Sequence, residues 1–490
     1  MNIRPIIGME VHVQLRTRTK LFCGCPVRTD APPNSCVCEV CLGHPGALPV
    51  MNRAAFEHAV LTGLALQCSI ARHSKWDRKS YYYPDMPKNY QISQYDLPIA
   101  REGRFEIEVH GAPRTIRIRR AHVEEDAGKN LHDQGDFTLV DLNRAGTPLI
   151  EIVTEPDLES ADEAYAFCIE LQRLVTHLGV GDANMQLGQM RFEPNVNVAI
   201  EVSGTEYRTP IAEIKNINSF RFVRQAIEFD VQRQVAEWQA DNDYVFGKAP
   251  SENRGWNAER GVTEFQRGKE AAHDYRYFPD PDLVPVDISD AALESIRARL
   301  VELPVARRKR FSSQHALSAA DAETIVTHRP TADLFEEVVR AGGPAEVAGK
   351  QLVNVWLKLA NDRGVGVTEL GVSADRMAAL AEITAGGIIG KTAANQIAEL
   401  MLSRTELPQA LAESLGMIQV QDAGANQQWV DQAFAANEQA VRDAMANPKK
   451  SQAAAGFLRG QVMRLSGGKA DPKLVGRLIE ERLQRRRAET

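Results

Sequence analysis

The chain has 490 residues, of which 43% are hydrophobic and 25% are charged. This composition is typical of a globular protein and excludes a disordered or collagen-like polymer. A single hydrophobic core stops growing at about 250–300 residues, so two to four domains are expected. No apolar run approaches the roughly 18–20 residues of a membrane-spanning helix, and the N-terminus lacks a secretory signal pattern. We therefore expect a cytoplasmic protein without a membrane partner.

The first polar pattern lies in an alternating segment near the N-terminus. Gly8-Met-Glu10-Val-His12 predicts a β-strand on which Glu10 and His12 share one face. A later predicted strand ends in three consecutive acids, residues 124–126. If the two strands lie close together, they assemble hard ligands suited to Mg²⁺ with bound phosphates: Glu10, His12, Glu124 and Glu125. The alternative is a solvated acidic turn beside an ordinary core histidine.

Cysteine spacing gives the next signal, because five of the seven cysteines lie within 19 residues. Disulfides are unusual in a reducing cytoplasm, so the cluster predicts a metal site. Cys23-x-Cys25 and Cys38-x-x-Cys41 supply the four thiolates of a tetrahedral structural zinc site. Cys36 is then a spare thiol or a competitor for Cys38. The alternative is a reduced, metal-free loop.

Two further stretches combine cations with aromatic or amide side chains. Segment 79–91 interleaves lysines and tyrosines, a pattern that can stack a nucleobase and hold phosphates. A surface loop with packed tyrosines is the alternative. Segment 213–219 places polar side chains along a strand that enters a helix, which is typical of an anion site. An amide network in the core is the alternative for that segment.

The predicted elements define the fold class. Residues 105–109 and 116–118 alternate around a Gly-Ala-Pro break and predict a β-hairpin. Ser160 with Glu163 forms a capping box that opens a helix ending at Gly179. Strands and helices in irregular order predict an α+β domain built on an antiparallel sheet, with the zinc-binding loop inside it. The predicted domain order is this α+β domain (1–292), a helical bundle (293–405) and a small all-α tail domain (406–490).

The C-terminal tail differs from the rest of the chain in charge. Residues 447–490 carry a local charge of +7, and the remaining residues carry −14. A basic helical tail favours a polyanion, because counterion release drives such contacts. A solvated helix surface is the alternative. The candidate contacts are Lys449, Lys450, Arg459, Lys469 and Lys473.

One glycine-rich motif is not assigned to a nucleotide. Residues 385–392 resemble a phosphate-binding loop, but Ala385 replaces the first glycine of that motif. The preceding residues 377–383 follow a helical pattern, whereas the loop requires a strand before it. We therefore predict a helix C-cap followed by the next helix.

Long and idiosyncratic runs extend over essentially the whole chain. On these runs the chain closely resembles the family of B subunits of bacterial aspartyl/glutamyl-tRNA amidotransferases. Glu193 departs from the family pattern, where an aspartate is usual. The runs that carry the resemblance are 22–25, 37–50, 82–98, 122–129, 143–153, 213–220, 273–283, 456–463 and 468–475.

The resemblance implies an ATP-dependent transamidation of misacylated Glu-tRNA(Gln), Asp-tRNA(Asn) or both. Such a chain phosphorylates the side-chain carboxylate of the tRNA-bound amino acid and amidates it with ammonia from a glutaminase subunit. It would be part of a carbon–nitrogen ligase that uses glutamine as amido donor in translation. The implied cofactors are Mg²⁺, ATP as a substrate and structural Zn²⁺. The implied partners are an amidase A subunit and a small C subunit in a heterotrimer, misacylated tRNA and, as a further candidate, glutamyl- or aspartyl-tRNA synthetase.

The resemblance also implies roles for individual residues. The implied magnesium ligands are Glu10, His12, Glu124, Glu125 and Glu213, and the zinc ligands are Cys23, Cys25, Cys38 and Cys41. The implied catalytic residues are Lys79, Lys88, Lys215 and Glu125. Nucleotide or acceptor-end contacts fall on Tyr82, Tyr90, Gln91, Asn216 and Asn218. The competing hypothesis is a non-catalytic, zinc-containing tRNA-binding scaffold, which explains the cysteines and the basic tail but not the acidic and histidine residues.

Overall fold

The computed structural model describes residues 1–132, 135–269, 275–420, 422–446 and 448–488. The chain divides into two units, Met1–Ala306 and Arg307–Thr490. The first unit mixes strands and helices, and the regular elements described in the second unit are helices. The predicted division into three domains at residues 292 and 405 stays a prediction. In the described ranges, no helix is long and apolar enough to cross a membrane.

Strands dominate the first unit. They are β1 (Asn2–Gln14), β2 (Ser69–Ile70), β3 (His73–Ser74), β4 (Asp77–Ser80), β5 (Tyr90–Ser93), β6 (Ala100–Val109), β7 (Ala112–Glu125), β8 (Lys129–Leu131), β9 (Leu139–Asp141), β10 (Pro148–Thr154), β11 (Met190–Val202), β12 (Thr205–Arg208), β13 (Ala212–Lys215), β14 (Ser251–Asn257), β15 (Val262–Lys269), β16 (Phe278–Pro279) and β17 (Val286–Asp287). The helices of this unit are α1 (Glu39–Leu42), α2 (Arg53–Ala65), α3 (Ala161–Leu178), α4 (Phe220–Ala240) and α5 (Asp290–Arg297).

A ten-stranded sheet organises these elements in the order β15-β14-β13-β11-β1-β10-β7-β6-β2, with β12 paired to β11. Its pairings are antiparallel except that of β13 with β14. The predicted hairpin is confirmed by β6 and β7, in which Phe105 lies opposite Ile116. The predicted helix after Ser160 is also confirmed, because the Glu163 N–H donates to Ser160 Oγ at 3.1 Å. An antiparallel-dominated sheet with many helices is therefore established for this unit.

The two faces of the sheet differ in polarity, because side chains alternate along each strand. On one face Val11, Val13 and Ile150 are buried in a core shared with residues of α2, α3 and α4. Burial of apolar surface at about 25 cal/mol per Å² makes this core the main stabilising contribution to the unit. The opposite face carries Glu10 and His12 on β1 and their polar neighbours.

Helices form the second unit. They are α6 (Pro304–Gln314), which spans the boundary between the units, α7 (Ala319–Val326), α8 (Arg329–Arg340), α9 (Ala345–Gln351), a π-helical turn (Leu352–Trp356), α10 (Leu357–Arg363), a 3-10 turn (Val367–Leu370), α11 (Ala374–Ala385), α12 (Lys391–Leu400), α13 (Pro408–Ser414), α14 (Ala423–Ala436), α15 (Glu438–Ala446), α16 (Pro448–Leu465) and α17 (Pro472–Ala488). Helices α11 and α12 confirm that the glycine-rich motif joins two helices. Two apolar clusters fill the unit, one around Phe335 and Trp356 and one around Phe434 and Val462.

Candidate functional site

Strand register places a row of titratable side chains on the polar face of the sheet. His12 on β1 lies opposite Glu151 on β10, and Glu151 lies opposite His122 on β7. Glu10 lies opposite Glu193 on β11. Glu124 follows His122 by two residues and therefore shares its face. Four neighbouring strands thus contribute polar groups to one place.

The side chains of this row are in contact. His12 Nε2 lies 3.7 Å from Glu10 Oε1, 3.4 Å from Glu124 Oε1 and 3.5 Å from Glu151 Oε2. His122 Nε2 lies 3.8 Å from Glu124 Oε2 and 3.5 Å from Glu151 Oε2. We call these five residues, Glu10, His12, His122, Glu124 and Glu151, the acid–histidine cluster. Glu151 is its centre, because it belongs to both groups of converging ligand atoms.

Burial and mutual charge shift the pKa values in the cluster. Burial raises the pKa of Glu10 to about 7, and the Glu151 carboxylate adds to the shift. Burial disfavours the charged form of His12, but the hydrogen bond and charge of Glu151 and the charge of Glu124 outweigh it and raise the pKa of His12 to about 9. Burial likewise disfavours ionised Glu151, yet both histidines hold its pKa below the usual range. The cluster is therefore a charge-paired network with an excess of carboxylates.

The donor set of the cluster fits a divalent cation. Three carboxylates offer the hard oxygen atoms that Mg²⁺ prefers, and a cation would relieve the repulsion between them. The two imidazoles also suit other first-row metals, because imidazole is an intermediate ligand. Nδ1 of His12 and Nδ1 of His122 are buried and have no hydrogen-bond partner among the described residues.

Two lysines extend the cluster. Lys215 Nζ lies 2.9 Å from Glu193 Oε2 and 2.9 Å from Glu213 Oε1. Burial opposes the charge on Lys215, but these two carboxylates raise its pKa. Lys79 on β4 lies with Nζ 5.1 Å from the centre of the Tyr275 ring. Burial opposes its charge too, and Glu124 raises its pKa. Both lysines are thus held as cations beside the carboxylates.

Glu125 lies apart from the cluster, although Glu124 is its neighbour in the chain. Its carboxylate forms an ion pair with Lys88, and the Ile92 N–H donates to its Oε2 at 3.1 Å. Gln91 Nε2 donates to the Glu125 carbonyl oxygen at 2.6 Å. The structure therefore brings Lys88, Gln91 and Glu125 together in a second group, and Tyr90 covers Lys88 with its ring centre 5.2 Å from Nζ.

The other residues predicted to contact the nucleotide, the acceptor end or the tRNA are not part of the acid–histidine cluster. Tyr82 is 73% exposed, and Asn216 and Asn218 are exposed at the end of β13. In the tail, three predicted basic contacts are exposed: Arg459, Lys469 and Lys473. Lys449 and Lys450 belong to α16, but their side chains lie outside the described part, as do residues 273–274 of the run 273–283.

Sequence reasoning missed Glu151 and His122. His122 had a usable signal, because it precedes Glu124 by two residues on one predicted strand. Glu151 is a lone acid within the apolar strand 149–153, and such an acid in a core strand is itself a signal that a partner exists. A second missed pair is Asp126 with Arg191, whose Nη2 donates to Asp126 Oδ1 at 2.9 Å.

The four cysteines predicted as zinc ligands come together. The Sγ atoms of Cys23, Cys25, Cys38 and Cys41 all lie within 4.8 Å of one another. The hydrogen bond from Cys23 is the main cause that lowers the pKa of Cys41, to about 4. The lowered pKa favours the thiolate form of Cys41. Four converging sulfur atoms, one of them a thiolate, fit a metal with tetrahedral coordination such as zinc. Cys36 is not part of this group.

An antiparallel-dominated sheet carries converging carboxylates, imidazoles and lysines, and a separate loop carries four converging cysteines, so that this chain has two sets of donor atoms that fit metal ions. Residues 5–294 match the model of the GatB/GatE catalytic domain, and residues 333–483 match that of the GatB domain. The chain belongs to the GatB/GatE family.

Full-length relatives support this assignment. The chain is 45% identical over 488 residues to a protein of Geobacter sulfurreducens, with 99% of this chain and 100% of the relative covered. It is 42% identical over 485 residues to a protein of Caldanaerobacter subterraneus and 44% identical over 483 residues to one of Trichlorobacter lovleyi, with the same coverage. Each of these three relatives is named as the B subunit of an aspartyl/glutamyl-tRNA(Asn/Gln) amidotransferase.

Proposed function

We propose that this chain is the kinase and transamidase subunit of a tRNA-dependent amidotransferase. It takes tRNA carrying a mischarged glutamate or aspartate, phosphorylates the side-chain carboxylate with ATP and replaces the phosphate by ammonia. The observation that carries the proposal is the acid–histidine cluster with its adjoining lysines, in a chain whose relatives are named as B subunits of an aspartyl/glutamyl-tRNA(Asn/Gln) amidotransferase.

The chemistry needs activation because a carboxylate does not react with ammonia. A carboxylate oxygen of the substrate attacks the γ-phosphorus of ATP, the bond to ADP breaks, and an acyl phosphate forms. Ammonia then attacks the carbonyl carbon, the C–O bond to phosphate breaks, and one proton of the nitrogen passes to the leaving phosphate, so that the amide and hydrogen phosphate are released. Phosphoryl transfer is catalysed mainly by positioning and by electrostatic stabilisation of the transferred group.

The residues of the cluster would supply that positioning. Glu10, His12, Glu124 and Glu151 would hold Mg²⁺, which would bind ATP phosphates and neutralise their charge. Lys79 and Lys215 remain protonated at neutral pH and would bind the anionic phosphates and the substrate carboxylate. Lys88 with Glu125 would order the loop between β4 and β5, which borders the site.

Other subunits would supply the ammonia and complete the complex. Ammonia would come from a glutaminase A subunit, with a small C subunit in the same heterotrimer, in the cytoplasm where tRNA is charged. The tail domain, residues 406–490, would hold the tRNA through its basic segment, residues 447–490, with Arg459, Lys469 and Lys473 as exposed contacts. Zinc at the four cysteines would have a structural role, because four thiolates leave no open position for a substrate.

ATP hydrolysis by the assembled complex, with and without mischarged Glu-tRNA, tests the proposal. We expect hydrolysis to depend on the tRNA and to fall at least about 10- to 100-fold in the variant Glu151→Gln, because loss of a metal ligand costs at least as much as loss of a residue that only supports one. Glu201→Gln is the matched control, because Glu201 is an exposed acid on β11 of the same sheet. The isolated chain should use ammonium ions but not glutamine.

The scaffold hypothesis makes the opposite prediction. If the chain only delivers tRNA, wild type and Glu151→Gln hydrolyse ATP equally and without dependence on tRNA. Glutamine use by the isolated chain would also contradict the proposed division of labour between subunits.

A further inference from the structure

The helix that carries two of the four converging cysteines ends against Lys88. Helix α1 includes Cys41, and Cys38 precedes its first residue. It ends at Gly43, whose φ of +72° lies in the left-handed region that glycine adopts without strain. A Cβ atom added to Gly43 would lie 2.7 Å from Lys88 Cγ and 3.2 Å from Lys88 Cα. Nonbonded carbon atoms are normally about 3.5–4.0 Å apart, so only glycine lets the end of α1 lie this close to Lys88.

A second close approach joins the cysteines to Glu125. Gly146 also has a positive φ, +82°. A Cβ atom added to Gly146 would lie 3.6 Å from Glu125 Oε1 and 3.7 Å from Cys41 Cβ. The Gly146 N–H donates to the Asp126 carbonyl oxygen at 2.9 Å, and its carbonyl oxygen accepts from the Leu21 N–H at 2.8 Å. Gly146 thus lies between Cys41 and the Glu125 carboxylate and is bonded to the segments on both sides.

Lys20 connects the same cysteines to the backbone around them. Its side chain is fully buried. Its Nζ lies 3.6 Å from Cys41 Sγ and donates to the Leu142 carbonyl oxygen at 3.3 Å. Its N–H donates to the Cys25 carbonyl oxygen at 2.9 Å. The segment from Leu142 to Gly146 is therefore held against the cysteines at both of its ends.

The ion pair of Lys88 with Glu125 is sensitive to such contacts because it is buried. The side chains of Lys88 and Glu125 are 8% and 4% exposed. Two charges removed from water are stable together only in good geometry, so a small displacement of either one is costly. The Ile92 N–H also holds the Glu125 carboxylate, whereas Gly43 packs directly on the backbone of Lys88.

We propose that the cysteine loop, residues 23–41, is the positioning element for the Lys88–Glu125 pair. When its four Sγ atoms share a metal ion, α1 is fixed, and Gly43 at its end holds Lys88 within reach of Glu125. When the four cysteines are free to separate, α1 moves away from Lys88 and the ion pair opens. The position of Lys88 does not depend on the proposed function, and only the effect on ATP hydrolysis rests on it.

The acetylation rate of Lys88 in the full chain, followed by mass spectrometry of its peptide, tests the coupling. Gly43→Asn should raise this rate at least about tenfold, which corresponds to about 1.4 kcal/mol in the free energy of local opening. Asparagine tolerates a positive φ, so the variant tests the contact with Lys88 rather than backbone strain. Gly46→Asn is the matched control, because Gly46 has a positive φ but a Cβ added there meets nothing within 4 Å. The exposed Lys358 on α10 is the internal standard.

Zinc provides a second arm of the test. Addition of Zn²⁺ to wild-type chain that a chelator has freed of metal should slow acetylation of Lys88 at least about tenfold and leave Lys358 unchanged. This arm needs no substitution, so it decides the question even if Gly43→Asn fails to fold, which the thermal unfolding midpoint reports. Acetylation of Lys88 that zinc does not change, or equal rates in folded Gly43→Asn and Gly46→Asn, would overturn the inference.

ATP hydrolysis by the assembled complex separates this inference from the proposed function. Lys88→Ala removes the Cγ atom that a Cβ at Gly43 would meet. Gly43→Asn should therefore lower hydrolysis at least about tenfold in the wild-type background, but less than about twofold further in Lys88→Ala. Additive losses would overturn the coupling, because the effect of Gly43 would not pass through Lys88. Hydrolysis that does not depend on mischarged tRNA would refute the proposed function and leave the acetylation results intact.

Discussion

Replacing Glu151 by glutamine should lower the pKa of His12. Glu151 Oε2 lies 3.5 Å from His12 Nε2 and 3.5 Å from His122 Nε2. Burial alone disfavours the imidazolium, and Glu151 is the largest of the groups that outweigh it and raise the His12 pKa from 6.5 to about 9. That difference corresponds to about 3 kcal/mol at 1.36 kcal/mol per pH unit. Glu124 remains 3.4 Å from His12 and keeps part of the rise in the His12 pKa. Because Glu151 contributes the larger share, we expect more than half of the rise, at least about 1.5 pH units, to be lost.

The assay is an NMR titration of the His12 imidazole in the full chain without Mg²⁺, with His12→Gln used to assign the signal. Glu201→Gln should leave the titration midpoint near that of wild type. A raised pKa in the folded state stabilises the fold fully below the unfolded value of 6.5, and this stability is lost as pH rises through about 9. The free energy of unfolding of wild type should therefore fall over this range, and that slope should shrink in Glu151→Gln. A midpoint that stays near pH 9 in the variant would refute the reasoning.

Three further predictions follow from the site. Mg²⁺ binding should release slightly more than one proton at pH 7.5, because His12 must lose its proton to become a ligand and the Glu10 carboxyl, with a pKa of about 7, is still partly protonated. Titration calorimetry in two buffers of different ionisation enthalpy measures this release, and no difference between the buffers would contradict it. Cys38→Ser should abolish zinc in the purified protein while Cys36→Ser retains it, as metal analysis will show; equal zinc loss in both would disprove the ligand assignment. Glu193→Asp draws the carboxylate back from Lys215 by about 1.5 Å. The free energy of unfolding, measured in urea, should fall by less than about 1 kcal/mol, because Lys215 keeps its ion pair with Glu213 and is partly exposed. A larger loss would show that Glu193 has another partner.

Features set by local chemistry could be predicted from the sequence. The helix after Ser160 has its capping hydroxyl, its acidic first turn and its left-handed Gly179 within one segment. The hairpin 105–118 shows its alternation and its turn within 14 residues. The cysteine group is local in the same sense, since Cys23 and Cys41 are separated by only 18 positions. Each of these depends on neighbours along the chain, so spacing alone indicates the structure.

The centre of the acid–histidine cluster could not be predicted in this way. Glu151 joins His12 and His122 only because β10 lies between β1 and β7, and His12 and Glu151 are separated by 139 positions in the chain. The order of strands in an antiparallel sheet is set by packing of the whole core, and one sequence gives no direct signal of it. Alternation places Glu10 with His12, but it does not identify which distant strand faces them.

In the segment 122–126, the alternation of side chains along the strand separates residues of the acid–histidine cluster from residues outside it. Residues two apart on a strand share a face, so His122 and Glu124 belong together while Glu125 must point elsewhere. In the structure Glu125 pairs with Lys88, and Asp126, at the strand end, pairs with Arg191. The three consecutive acids therefore serve three different sets of partners. It follows that substituting Glu125 should disturb the loop that carries Lys88, whereas substituting Glu124 should disturb the cluster itself, and any shared loss of activity would arise from two separate physical causes.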